Sequence, residues 1–274
     1  MHPYLEILRP HNCVMAGVAV IAGVAIASGD PFSASSLIAF AVALLVCGAG
    51  NIVNDYYDYE IDKINNPRRP LPSGRMSLQT AHRYAVALFL LGVALTLAIS
   101  IPIFLLAAFN ASLLYLYASS IKKRGGASKN LAVSYLVASP FLFGGLVAGN
   151  PLATFLLVIL AGLANTSREI IKDIQDYEGD KAFLKTLPAK MGINGSAKLA
   201  SAVLILAIAM SPLPYLLGTL SSYYLLLVIP ADALFLLAIP RFLRSPRKQA
   251  AATQKILKLG MALALGAFLL GSLP

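Results

Sequence analysis

Nine of the twelve acidic residues in this 274-residue chain gather in two short windows. The first holds Asn51, Asn54, Asp55, Asp58, Glu60 and Asp62; the second holds Glu169, Asp173, Asp176, Glu178 and Asp180. The windows superpose. Asp55, Asp58 and Asp62 share the spacing of Asp173, Asp176 and Asp180, and Asn51 and Glu169 stand four residues ahead of each set. A basic loop containing Leu-Pro follows each window, at Leu71-Pro72 and Leu187-Pro188, so the pair is an internal repeat. Positions i, i+4, i+7 and i+11 lie along one helical stripe, which makes each window a predicted column of oxygen ligands. Carboxylates this crowded repel one another unless they are protonated or neutralised by cations. Oxygen-only ligands favour hard ions, and Mg²⁺ is the natural one, because it takes a few carboxylates together with substrate phosphates and water. Flanking Arg and Lys would then close around a diphosphate, so that metal and guanidinium together neutralise a leaving group.

The elements that position these columns are membrane helices. Of the chain's residues, 58% are hydrophobic and 12% charged, whereas soluble domains carry roughly 25% charged residues. Nine apolar stretches are expected to cross the bilayer: Cys13 to Ser28, Ser36 to Ile52, Tyr84 to Ser100, Ile103 to Tyr117, Leu131 to Ala148, Leu152 to Asn165, Leu199 to Leu217, Tyr223 to Ile239 and Ile256 to Leu273. Pro102, Gly149-Asn150-Pro151 and Ser211-Pro212-Leu213-Pro214 supply the short turns. Arg9 precedes span one, and the other basic residues follow spans two, four, six and eight, which accounts for all 22 of them. Lys and Arg are retained on the cytoplasmic side, so the N-terminus and both acidic windows are expected there, in a multi-pass protein of the cell membrane.

The net charge of +10 is thus a property of one membrane face, suited to anionic headgroups or an anionic substrate. It does not suit nucleic acid, because the basic residues lie in short loops without a soluble, aromatic-interleaved module. Cys13 and Cys47 fall in apolar spans and suggest packing only. His2, His11 and His82 show no metal spacing. The first apolar stretch is expected to be a membrane helix, not a signal peptide, since eight more follow.

At these motifs the chain resembles the UbiA superfamily of intramembrane prenyltransferases over essentially its full length. The stretch from Asn54 to Gly74 is similar to that family's first Asp-rich motif with its Arg-Pro loop, and Arg168 to Asp180 to its second. Leu116 to Asn130 resembles its tyrosine, lysine and asparagine region, and Leu8 to Asn12 its entry to helix one. The resemblance implies a single domain over residues 1–274, an all-α bundle of nine spans around a central cavity, with short cap helices after spans two and six. It implies that Asn51, Asp55, Asp58 and Asp62, with Glu169, Asp173, Asp176 and Asp180, bind Mg²⁺ and the diphosphate of a prenyl donor. Glu169 stands where relatives often carry Asp. The wording Lys185 to Pro188 and Arg168 to Ile174 looks most like the archaeal digeranylgeranylglyceryl phosphate synthases. Those enzymes move a geranylgeranyl group from its diphosphate to the free hydroxyl of geranylgeranylglyceryl phosphate. Quinone-precursor, aromatic or tetrapyrrole acceptors are the alternative within the superfamily.

Other candidates surround the motifs. Arg9, Arg68, Arg69, Lys122, Asn130 and Lys172 are expected diphosphate or substrate contacts; for Arg9 and Lys122 a basic topology anchor is the competing reading. Tyr115 and Tyr117 sit at the end of span four, as interfacial belt residues or as rings facing an allylic cation. Asp232 is the lone acid deep in a span, with no partner evident. A transporter is the rival from another class, but it would need charge near the midplane, and here charge clusters on one face.

Overall fold

The computed structural model describes residues 2–28, 30–180 and 185–273, and among these it contains helices and turns without a strand. Nine spans among the described residues are long and apolar enough to cross a membrane, and their main helices are α1 (Pro10–Ser28), α2 (Ala34–Tyr57), α3 (Leu78–Leu95), α4 (Ile101–Leu116), α5 (Gly126–Val147), α6 (Phe155–Gln175), α7 (Leu187–Met210), α8 (Leu225–Arg244) and α9 (Pro246–Gly271). The ends are written locally. Ser33 Oγ accepts from Ser36 N at 3.2 Å ahead of α2, and Ser77 Oγ accepts from Thr80 N at 3.0 Å ahead of α3, which satisfies amides that a helix start leaves unpaired. Pro10, Pro102 and Pro246 stand in first turns, where no amide donor is missed.

The helices run further toward the charged face than hydropathy alone predicts. α2 continues to Tyr57 past Ile52 and α6 to Gln175 past Asn165, while the stretch from Leu187 ahead of span seven is broken at Gly192, which takes φ 77° and ψ 163°. A hydropathy pattern stops at the first charge, whereas backbone hydrogen bonding continues wherever side-chain partners satisfy that charge. The first two ligand positions of each motif therefore belong to the spanning helices.

The predicted straight columns are corrected at their third ligand. α2 ends where Asp58 takes φ −89° and ψ 2°, and α6 ends where Asp176 takes φ −90° and ψ 2°. Near-zero ψ lies in the bridge region, which redirects the chain. A short helix follows each break, at Tyr59–Asn65 and at Tyr177–Asp180. Both motifs are thus bent alike, and the repeat extends from side chains to backbone.

Packing repeats as well. α1 lies against α2 and α2 against α3, just as α5 lies against α6 and α6 against α7, while α9 closes on α6, α8 and α1. α1 meets α5 at Gly23 and Gly144, where a Cβ on Gly144 would come within 2.2 Å of the Val20 carbonyl oxygen. Only glycine lets these backbones touch. Ile52 and Val53 back the first motif in one apolar cluster, and Ile170, Ile171 and Ile174 back the second in another. Leu90, Leu105, Leu226 and Leu237 are exposed, as lipid-facing positions should be.

Candidate active site

In the first motif the carboxylates are clamped by guanidinium groups. Arg9 donates to Asp55. Arg69 Nη1 bridges two ligand positions, reaching Asp62 Oδ2 at 2.6 Å and Asp55 Oδ1 at 3.3 Å. Asn66 Nδ2 completes Asp62 at 2.9 Å. Asp55 and Asp62 are each only 4% exposed, and burial at that level is tolerable because every charge has a partner. Arg9 reaches its place through a left-handed backbone, φ 53°, with its carbonyl accepting from Asn12 N and Cys13 N at 2.9 and 3.3 Å.

In the second motif the partners are different. Lys129 donates to Asp173, and Asn130 Nδ2 to the other carboxylate oxygen at 3.1 Å. Asp173 is 1% exposed and Lys129 6%, so this ion pair is wholly inside the protein. Arg168 donates to Glu169 and, through Nε, to Asn165 Oδ1 at 3.1 Å. Gln254 of α9 holds the Arg168 carbonyl at 2.5 Å. Burial pushes the Asp176 carboxyl up from its ordinary value, with Lys172 and Lys129 pulling it down.

One connection joins the two motifs. Beyond α4 the chain makes a π-helical turn at Tyr117–Ile121, a single turn at Lys122–Arg124, and a reversal at Gly125 and Gly126 with φ 65° and 71°. A Cβ on Gly125 would lie 2.9 Å from the Lys185 backbone, so the reversal needs glycine in both conformation and space. Its consequence is that Lys122 and Lys129 serve different motifs. Lys122 donates to Asp58 and, at 3.2 Å, to Asn54 Oδ1, while Lys129 takes Asp173. Tyr117 is half-buried on the same turn. Helical π-turns often mark functional positions.

The remaining expected residues fall as follows. Asn51 Nδ2 holds the Leu8 carbonyl at 2.8 Å, tying the motif to the segment that carries Arg9. Arg68 is exposed, and its carbonyl accepts from Arg75 at 2.6 Å. Lys172 is exposed beside Asp176. The side chain of Asp180, and Lys181, lie outside the described residues. Tyr115 joins Tyr57 and His82 in an aromatic group, accepting from Tyr57 at 3.1 Å. Asp232 does have a partner: Ser211 Oγ donates to it at 2.5 Å, and Tyr224 holds the Ser211 carbonyl at 2.8 Å. Sequence reasoning placed Lys129 and Arg168 within the matched stretches and among the basic residues of one face, without a role of their own. The available signals were their positions, Lys129 beside Asn130 and Arg168 beside Glu169.

The donor set fits a hard divalent cation: oxygens only, from carboxylates of both motifs, with the buried Asn130 Oδ1 lacking a hydrogen-bond partner. Among the described residues no three acidic, His or Cys side chains converge on one point. The paired carboxylates are turned instead toward their cations.

The chain is similar to known proteins along nearly its whole length. Residues 16–266 match the model of the UbiA prenyltransferase family. The digeranylgeranylglyceryl phosphate synthase of Methanopyrus kandleri is 42% identical over 270 residues, 98% of each chain. A solved structure concerned with digeranylgeranylglyceryl phosphate synthase in membranes superposes with a TM-score of 0.84 at 39% identity, over 98% of this chain and 97% of that one. A UbiA homologue from Archaeoglobus fulgidus bound to GPP and Mg²⁺ shares the fold, with a TM-score of 0.71 at 20% identity over 97% of this chain and 99% of that one. Nine spans, two matched acidic motifs and similarity along the whole chain give one conclusion: the protein belongs to the UbiA prenyltransferase family.

Proposed function

We propose that this prenyltransferase moves a geranylgeranyl group from geranylgeranyl diphosphate to the free hydroxyl of geranylgeranylglyceryl phosphate, with Mg²⁺ as cofactor. The observation that carries the site assignment is the single connection whose Lys122 and Lys129 reach one carboxylate in each motif. The donor and acceptor assignment draws on the full-length similarity to the Methanopyrus kandleri enzyme.

Asn51, Asp55, Asp58, Glu169, Asp173 and Asp176 would hold the metal, which when bound supplies positive charge to the departing diphosphate. Arg9, Arg69 and Lys122 are 26, 33 and 27% exposed at their side chains, so they stand where an entering diphosphate meets them. Their donors transfer from carboxylate to phosphate oxygens, an exchange of one charge-assisted hydrogen bond for another. The allylic carbon–oxygen bond breaks, and the acceptor hydroxyl forms the new ether bond. The hydroxyl proton goes to a motif carboxylate or to the released diphosphate. Tyr117 faces this region with a ring whose π face favours a cation. The prenyl chain lies among the helices, where burial contributes about 25 cal/mol per Å². We place the motif face in the cytoplasm, because in the sequence all 22 basic residues stand ahead of span one or after spans two, four, six and eight.

The test is a product assay. Purified protein in lipid nanodiscs, given both substrates and Mg²⁺, is expected to form the diether phosphate seen by mass spectrometry, and EDTA is expected to stop it. Product formation with an aromatic acceptor but none with geranylgeranylglyceryl phosphate would overturn the acceptor assignment.

A further inference from the structure

A cleft of about 450 Å³ opens beside the first motif, between the start of α1, the loop after α2 and the face of α9. Arg9, Arg69, His11 and Lys258 line it, with Asp55 as the wall it shares with the motif. Glu6 lies at its edge, but both of its oxygens are taken by Arg75 at 2.7 and 2.9 Å. Among the described residues Lys258 and His11 have no ion pair or hydrogen bond through their side chains, and both are exposed to the cleft opening. His11 is the second residue of a 19-residue helix, whose positive end favours an anion. Neither α1 nor α9 carries a carboxylate motif. The cleft therefore extends the cationic groups of the first motif, Arg9 and Arg69, onto α1 and α9.

The reading of the function as transfer to a glyceryl phosphate makes a specific demand on such a locus. In that acceptor the phosphate and the reacting hydroxyl are attached to one three-carbon unit, so the phosphate must dock within a few bonds of the reaction centre. It must also have ligands beyond the groups that hold the donor's diphosphate. A cationic cleft that meets the motif at Asp55, Arg9 and Arg69 and adds Lys258 and His11 satisfies both conditions.

We propose that this cleft is the acceptor's phosphate subsite, with Lys258 and His11 as its dedicated ligands and Arg9 and Arg69 shared with the first motif. It recognises a phosphomonoester through a lysine ammonium, an imidazole and a helix N-terminus. The proposal rests on the functional reading above, and it adds Lys258 and His11 as determinants of acceptor affinity.

Lys258→Ala, His11→Ala and the double variant are measured in uncharged-lipid nanodiscs with both substrates varied. The expected result is a KM for geranylgeranylglyceryl phosphate at least about 10-fold higher in the double variant, an unchanged KM for geranylgeranyl diphosphate, and partial recovery in Lys258→Arg. An unchanged acceptor KM with product still forming would overturn the subsite while leaving the functional reading in place. A second arm needs no turnover. Dodecyl phosphate is expected to raise the wild-type melting temperature and to do so less in the double variant, whereas methyl dodecyl phosphate, a diester like bulk lipid headgroups, has little effect on either. Equal stabilisation by monoester and diester would assign the cleft to bulk anionic lipid and overturn the proposal. If wild type forms no product, the functional reading fails, and the melting data alone decide whether the cleft binds a phosphomonoester.

Discussion

The two acidic motifs share sequence register and backbone, yet they are neutralised in opposite ways. In the first, the cations on Asp55, Asp58 and Asp62 are 26 to 33% exposed at their side chains. In the second, the Lys129 side chain is 8% exposed and sits on an Asp173 side chain that is 1% exposed. Half-exposed guanidinium groups exchange partners at little cost, whereas a buried ammonium–carboxylate pair is expensive to separate. The difference divides the labour. Under the proposed function the first motif would be the open side, through which charged groups enter, and the second the fixed wall against which they are held.

The largest effect should come from unpairing the wall. Asp173→Ala leaves Lys129 buried without a counter-charge and is expected to cost about 3 to 5 kcal/mol, read as loss of folded protein on heating in detergent. Asp55→Ala leaves two half-exposed arginines, and about 1 kcal/mol is expected. Equal destabilisation of the two variants would remove the distinction.

Next is the reversal that lets one connection serve both motifs. Gly125 has φ 65° and ψ −163°, a region essentially reserved for glycine. Gly125→Ala should cost about 1 to 3 kcal/mol and should lower turnover beyond its effect on stability, because Lys122 and Lys129 lose their joint placement. Normal turnover in a destabilised variant would show that their placement is not needed.

Smaller effects sharpen the contrast. Burial raises the Asp176 carboxyl, so its ionised form opposes folding, and that penalty grows as pH rises past the ordinary carboxylate range. Asp176→Asn is therefore expected to be slightly more stable than wild type at pH 7 while losing activity. Reduced stability would show that the charge is held favourably.

The smallest effect concerns the loop that carries Arg69. Glu6 pairs with Arg75, whose hydrogen bonds hold its carboxyl below the ordinary value. That contribution is complete above the ordinary glutamate range and is lost as pH falls through the lowered value. Glu6→Gln is expected to speed tryptic cleavage at Arg68 or Arg75 at neutral pH, with cleavage elsewhere unchanged.

Much of this was legible in the sequence, for identifiable reasons. The nine spans follow from hydropathy and from the restriction of basic residues to alternate connections. The motifs follow from their spacing, because acids are scarce elsewhere. The bend at Asp58 and Asp176 was not legible, since a backbone break with near-zero ψ carries no glycine or proline marker here. Nor was the Lys129–Asp173 pair, whose members are 44 residues apart on different spans. Asp232 illustrates the same limit: Ser211 is 21 residues away and becomes its partner only through packing of α7 against α8.

The central claim is that two differently neutralised motifs act as one unit on one diphosphate. Turnover of Asp55→Asn, Asp173→Asn and the double variant, at saturating Mg²⁺ and both substrates, tests it most directly. Each single variant should fall by at least about 100-fold, and the double variant should fall little further, as groups acting together do. A single variant with wild-type turnover, or single losses that multiply in the double variant, would contradict it.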